Sequence, residues 1–223
     1  MPEVLGVDSG VLAAKADYLA QAAGLSRREV AALLVRDPAA MLCSLDHLQQ
    51  TVQWLSEGLG LDADLLRHVL SKGGVAKYPL ATLQERVAFW LRLGFGLGEV
   101  RCMLERMPRL LLYPVHEPKY QLKLRFLTEE LGLPLGALLS FPTYLSYSLP
   151  GRIAPRAAAA RALAGRALPL QQLTRKDEQW AAWLGVGPEE WCAFQQAWRA
   201  GPEARRWADP ESPGGQPRRV PSG

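Results

Sequence analysis

The sequence is poor in the residues on which covalent and metal chemistry depend. Its 223 residues include three Cys and three His. Cys43, Cys102 and Cys192 lie 59 and 90 residues apart and form no C-x-x-C, which excludes a disulfide framework and a Cys-based zinc site and fits a reducing compartment. His47, His68 and His116 are 21 and 48 residues apart. There is no H-E-x-x-H, no G-x-S-x-G and no Gly-rich loop leading into a phosphate-binding helix. The adjacent acids Glu129–Glu130 and Glu189–Glu190 do not face each other on a helix, so no shared-proton dyad is implied. We therefore expect a non-enzyme that needs no metal and no cofactor, with Cys43 and Cys102 as packed thiols rather than nucleophiles. No uncharged apolar run approaches the roughly 18 residues needed to span a bilayer. The first residues carry Glu3, Asp8 and Asp17 and lack the basic start and apolar stretch of a signal peptide, so any targeting segment is expected to be absent, cleaved or outside this chain.

What is present is basic and periodic. The formal net charge is +4, with Arg outnumbering Lys 20 to 6. That charge is uneven: −3 over residues 1–60, +3 over 61–132, +4 over 133–170 and zero over 171–223. A local excess of +7 over residues 61–170 points to an anionic partner more than a uniform excess would, although an Arg-, Ala- and Gly-rich composition can also follow from codon usage.

Gly24, Gly60, Gly94 and Gly132 recur at intervals of 36, 34 and 38 residues, the period of a stacked helix pair. Six, nine and ten residues after the first three of these stand Val30, Leu33, Leu34; Leu66, Val69, Leu70; and Val100, Met103, Leu104. Each set forms one stripe of a helix A. Pro38, Gly74 and Pro108 then end helix A in three successive units. A helix B follows, with equivalent positions Leu48, Leu83, Tyr120, Ile153; Val52, Val87, Leu124, Ala157; and Leu55, Trp90, Leu127, Ala160. Pro142 comes only ten residues after Gly132, so the fourth helix A should be about one turn short. Residues 4–22 read as the helix B of a preceding unit.

After Arg166 the pattern changes. Residues 170–184 and 188–198 read as two short helices, and five of the seven Trp lie in this region, at 180, 183, 191, 198 and 207. A repeat array needs a terminal unit over its last apolar face, so Trp180, Trp183 and Trp191 are expected as cap core rather than base-stacking platforms. The reading is thus an all-α helical-repeat solenoid over residues 4–166, a helical cap over 167–200 and a disordered tail over 201–223.

One position carries functional information. The residues just before Val52, Val87, Leu124 and Ala157 are Thr51, Arg86, Lys123 and Arg156; one turn earlier stand His47, Thr82, Lys119 and Arg152. Five of these eight are basic. At repeat spacing, Arg86, Lys119, Lys123, Arg152 and Arg156 would form a stripe able to follow a phosphate backbone. The competing reading is that these side chains bury their stems and keep their charges in water.

The run Phe141-Pro142-Thr143-Tyr144-Leu145-Ser146-Tyr147-Ser148-Leu149, followed by Arg152-Ile153-Ala154-Pro155-Arg156, resembles the F-P-x-x-L-x-Y-S-L-x-x-R-I-x-P-R signature of mitochondrial transcription termination factor (mTERF) proteins. R-D-P-x-x-M-L at 36–42 and R-M-P-R-L-L-L at 106–112 resemble the same family's helix ending, while Gly74 and Pro150 depart from its pattern. The resemblance covers roughly residues 4–200. It implies a curved stack of helix triplets, each with a short 3₁₀ turn after helix A, and a basic concave groove for double-stranded DNA or structured RNA. It further implies a monomer with no membrane association, import into a mitochondrion or chloroplast, and a role in organellar transcription termination or regulation, RNA maturation or ribosome assembly. Organellar gene-expression proteins are implied as further partners. Tetratricopeptide and pentatricopeptide arrays have similar periods, but neither the recurrent W-x-x-L-G-x-x-Y nor variable polar pairs occur here. The alternative from another functional class is a protein-binding scaffold with an apolar concave face.

Overall fold

The computed structural model describes residues 9–36, 38 and 42–208. These form two compact units, one ending at Val115 and the other beginning at His116. Every regular element among the described residues is helical, as the 3.6-residue stripes require. Among the described residues no helix is long and apolar enough to cross a membrane.

The first unit contains α1 (Ser9–Ala23), α2 (Arg27–Arg36), α3 (Leu45–Gln53), α4 (Ala63–His68), α5 (Leu80–Arg92) and α6 (Leu97–Arg106). Helices α1, α3 and α5 are B helices, and α2, α4 and α6 are A helices. Ser44 caps α3 by accepting from the His47 N–H, and Asp62 caps α4 by accepting from the Leu65 N–H. Beyond the fourth and sixth helices the chain tightens into 3₁₀ turns, Val75–Lys77 and Leu110–Leu112. Pro108 enforces one stop. Gly74 enforces the other with φ of +70°, so its departure from the repeat Pro preserves the break by a different backbone device. Its neighbour Gly73 has a separate reason to be glycine, since a Cβ there would meet the Pro108 carbonyl oxygen at 2.8 Å.

The second unit contains α7 (Pro118–Arg125), α8 (Ala137–Ser140), α9 (Ala154–Ala164), α10 (Asp177–Leu184), α11 (Pro188–Ala200) and α12 (Pro202–Ala208), with 3₁₀ turns at Pro142–Ser146 and Leu170–Thr174. The four-residue α8 is the shortened helix A that Pro142 predicts.

Each B helix closes on one of the recurrent glycines. Gly24, Gly60, Gly94 and Gly132 have φ of +62°, +67°, +94° and +65°, and Gly165 continues the series at +58°. The residue after each glycine donates back into the helix: Leu25 to Leu19, Leu61 to Leu55, Phe95 to Trp90, Leu133 to Leu127 and Arg166 to Ala160. These are Schellman-type ends, and in the first four the bonded pair is also apolar. The closure spans six residues in all but α5, where it spans five. One residue fewer there accounts for one residue of the short spacing from Gly60 to Gly94.

All twelve apolar B-helix positions named from the sequence are buried, as are Val30, Leu33, Leu66, Val69, Leu70, Val100, Met103 and Leu104 of the A helices. The side chain of Leu34 and most of the R-D-P turn lie outside the described residues. In the cap, Trp180 packs on Trp183 and Trp191 at ring-centroid distances of 4.9 and 5.9 Å, with Trp180 and Trp191 buried. Two expectations need correction. Cys102 is exposed because it lies off the Val100–Met103–Leu104 stripe, whereas Cys43 is half-buried and burial pushes its thiol pKa up. The segment from residue 201 starts with an ordered helix, α12, whose Trp207 is buried edge-on against Phe126 at 4.9 Å. The cap therefore reaches residue 208; residues 209–223 lie outside the described residues.

Candidate nucleic-acid interface

A 3₁₀ turn wedged between helices leaves carbonyl oxygens that no continuing helix ladder satisfies, and buried ones need donors. The recurrent cations are those donors. In the first unit, Arg86 of α5 sends Nη1 to the carbonyl oxygen of Leu111 at 2.5 Å and lies 4.8 Å over the Tyr78 ring. In the second, Lys123 of α7 sends Nζ to the carbonyl oxygen of Leu145 at 2.6 Å, while the Tyr144 hydroxyl donates back to the Lys123 carbonyl at 2.8 Å. Arg156 of α9 divides its guanidinium between the carbonyls of Gln172 and Arg175 and the Asp177 carboxylate, at 2.9, 2.8 and 2.8 Å, beneath the Trp180 ring. Arg86 and Lys123 thus grip the 3₁₀ turn that follows the next A helix, whereas α9 has no A helix after it and Arg156 grips the next 3₁₀ turn directly. Thr51 fills the equivalent slot in α3 without a cation, and one turn earlier His47 Nε2 takes over, 3.1 Å from the Ala76 carbonyl oxygen.

Arg86 is 6% exposed and Arg156 1%. Neither forms part of an exposed stripe, and neither keeps its charge in water, so the geometry departs from both sequence readings. Burial draws the Arg156 pKa below the ordinary guanidinium range, opposed by the bond to Asp177. Burial, followed by the charge of Lys119, pulls Lys123 down to about 8. Arg152 is half-buried, bonds the Arg175 carbonyl at 2.6 Å and lies 5.1 Å over the Tyr147 ring. Of the five predicted residues only Lys119 is exposed; it pairs with Glu117 at 3.0 Å. The structure thus brings Lys119 and Lys123 together on α7, and Arg152 and Arg156 around the Arg175 carbonyl.

One member of the series escaped the sequence reading. Counted back from the closing glycine, Thr51, Lys123 and Arg156 each stand nine residues earlier, and Arg86 eight, as the shorter end of α5 requires. Nine residues before Gly24 is Lys15, which is 2% exposed. Register against the glycine would have found it.

Other arginines cap helix ends in the same manner. Arg101 Nη1 reaches the carbonyls of Leu59 and Gly60, and Arg161 Nη2 that of Glu130; Arg36 and Arg166 bond the carbonyls of Ser71 and Trp183. Carbonyl dipoles satisfy the donors of these side chains but cancel no charge. Of Arg86, Lys123 and Arg156, only Arg156 meets a carboxylate among the described residues. The positive excess over residues 61–170 therefore survives folding and still shapes the field around the molecule.

Helical repeats closed by glycine, with 3₁₀ turns after α4, α6 and α8 and a helical cap, define a class of all-α helical-repeat proteins. The mTERF family model matches residues 2–180, and the chain belongs to the mTERF family. That family comprises nucleic-acid-binding regulators of organellar gene expression.

Proposed function

We propose that this protein binds double-stranded nucleic acid, DNA or structured RNA, through phosphate contacts and regulates organellar transcription or RNA processing without catalysis, in a mitochondrion or chloroplast. The observation that carries this reading is the largely uncancelled charge: Arg86 and Lys123 are held by carbonyls, and of the formal +7 excess over residues 61–170 the pairing of Arg156 with Asp177 offsets about one charge, leaving an excess that favours a polyanion. Contact falls to exposed cations rather than to the buried ones. Arg106 ends α6 and Arg109 immediately precedes the turn Leu110–Leu112 of the first unit, and Lys119 stands at the start of α7; all three are exposed. Such contacts position a duplex without reading its sequence.

Duplex affinity measured against salt tests this. With three to five phosphate contacts, log K should fall against log salt with a slope of about −3 to −5. Replacing Arg106, Arg109 and Lys119 together by Gln should flatten that slope by about 3 for every duplex tested. Absence of duplex binding at low salt by a protein with intact helical circular dichroism would remove the reading in favour of a protein-binding scaffold.

A further inference from the structure

Lys123 poses a problem that its clasp does not solve. It lies one helical turn from Lys119, and like charges at i, i+4 repel. Its Nζ has one backbone acceptor, the Leu145 carbonyl, and faces the Tyr120 ring at 4.9 Å. Glu117 pairs with Lys119 and not with Lys123. From the packed turn, Tyr144 contributes a hydroxyl that donates elsewhere and that burial keeps protonated far above the usual range. Lys123 is therefore a half-buried ammonium with a cationic neighbour and no carboxylate partner among the described residues.

A cleft opens at the same place. It has a volume of about 220 Å³ and is lined by Lys119, Lys123, Ser148, Leu149, Pro150 and the Trp207 ring, with Leu122 behind. Two lysines and a serine thus line a cavity whose other walls are apolar. Ser148 already accepts the Gly151 N–H, which leaves its own O–H to donate.

We propose that this cleft is a phosphate-binding site, in which Lys119 and Lys123 grip one phosphate group and Ser148 donates to it. The phosphate belongs either to a duplex backbone or to a free phosphomonoester, and the inference rests on the proposed function only for the first source. Bound phosphate supplies the counter-charge that Lys123 lacks, so it favours the ammonium form. Binding is therefore strongest below about pH 8, where Lys123 is protonated in the free protein, and weakens as pH rises through that value.

The test uses the full chain and two probes, a short DNA duplex and inorganic phosphate. A lysine of low pKa acylates readily, so occupancy of the cleft is read as protection of Lys123 from an acylating reagent, mapped by mass spectrometry. The expected result is severalfold protection, together with a roughly tenfold loss of affinity between pH 7 and pH 9. That pH dependence should vanish in Lys123→Met, whose duplex affinity is read by direct titration because it has no Lys123 to acylate. Lys119→Gln, a change at the exposed rim, should weaken protection severalfold and, by removing a neighbouring charge, move the pH dependence to higher pH without abolishing it. It keeps the test available if loss of the clasp unfolds Lys123→Met.

Protection by the duplex alone assigns the cleft to a backbone phosphate, and protection by inorganic phosphate assigns it to a free phosphomonoester. Salt-dependent duplex binding without Lys123 protection would overturn the cleft and leave the proposed function standing. Protection by phosphate with no duplex binding would do the reverse. Unchanged acylation with both probes, in protein whose helicity is intact, would sink the phosphate site.

Discussion

At the scale of single residues, a cation recurring at repeat spacing has two physical uses that one sequence cannot separate. It can face a groove and meet phosphates, or it can turn inward and satisfy the carbonyls of a neighbouring turn. Both need a long side chain with several donors at the same helical position. Arg86 and Arg156 take the second use, and burial distinguishes them from Lys119, where periodicity did not. Mutation should separate the two kinds. Lys119→Gln should leave unfolding stability within about 0.5 kcal/mol of wild type, as befits an exposed pair, and lower the salt slope of duplex binding by about 1. Denaturant melting and a salt titration on the same preparation check both. Gly132→Ala isolates the backbone device: nothing lies within 4 Å of the added Cβ, so only the φ of +65° opposes it. The expected loss is about 1–2 kcal/mol, and no loss would show that the Schellman-type end is dispensable.

Among the elements, helices and their ends were legible because local rules fix them. The glycine spacing gave the repeat period, the apolar stripes gave the A and B helices, and Pro142 gave the stunted α8. What stayed hidden depended on partners far along the chain. Helix α12 looks like tail in the sequence, since Pro, Gly and charged residues surround it. Trp207 is anchored by Phe126, 81 residues away, and no local pattern announces that contact. Truncation after Ala200 should therefore lower the melting temperature by several degrees, and Trp207→Ala should account for most of that loss, at about 3–5 kcal/mol. Unchanged melting in both variants would mean that α12 contributes nothing to the second unit.

Over the whole molecule, the Arg-rich composition serves folding first. Arginine's five donors let one side chain satisfy two carbonyls and a carboxylate at once, as Arg156 does. Because carbonyls neutralise no charge, a chain assembled this way carries a positive field as a by-product, and a phosphate-binding surface needs only a few exposed cations added to it. The charge distribution was therefore legible as a sign of an anionic partner, while the inward turn of Arg86 and Arg156 was not. That the recurrent cations hold the turns is tested most directly by denaturant unfolding of Arg156→Gln at low and at high salt. The clasp predicts a loss of about 2–4 kcal/mol at both, because carbonyls of Gln172 and Arg175 lose a buried donor. Unchanged stability at high salt, with a gain at low salt from relieved charge repulsion, would mark Arg156 as a surface cation and contradict the clasp.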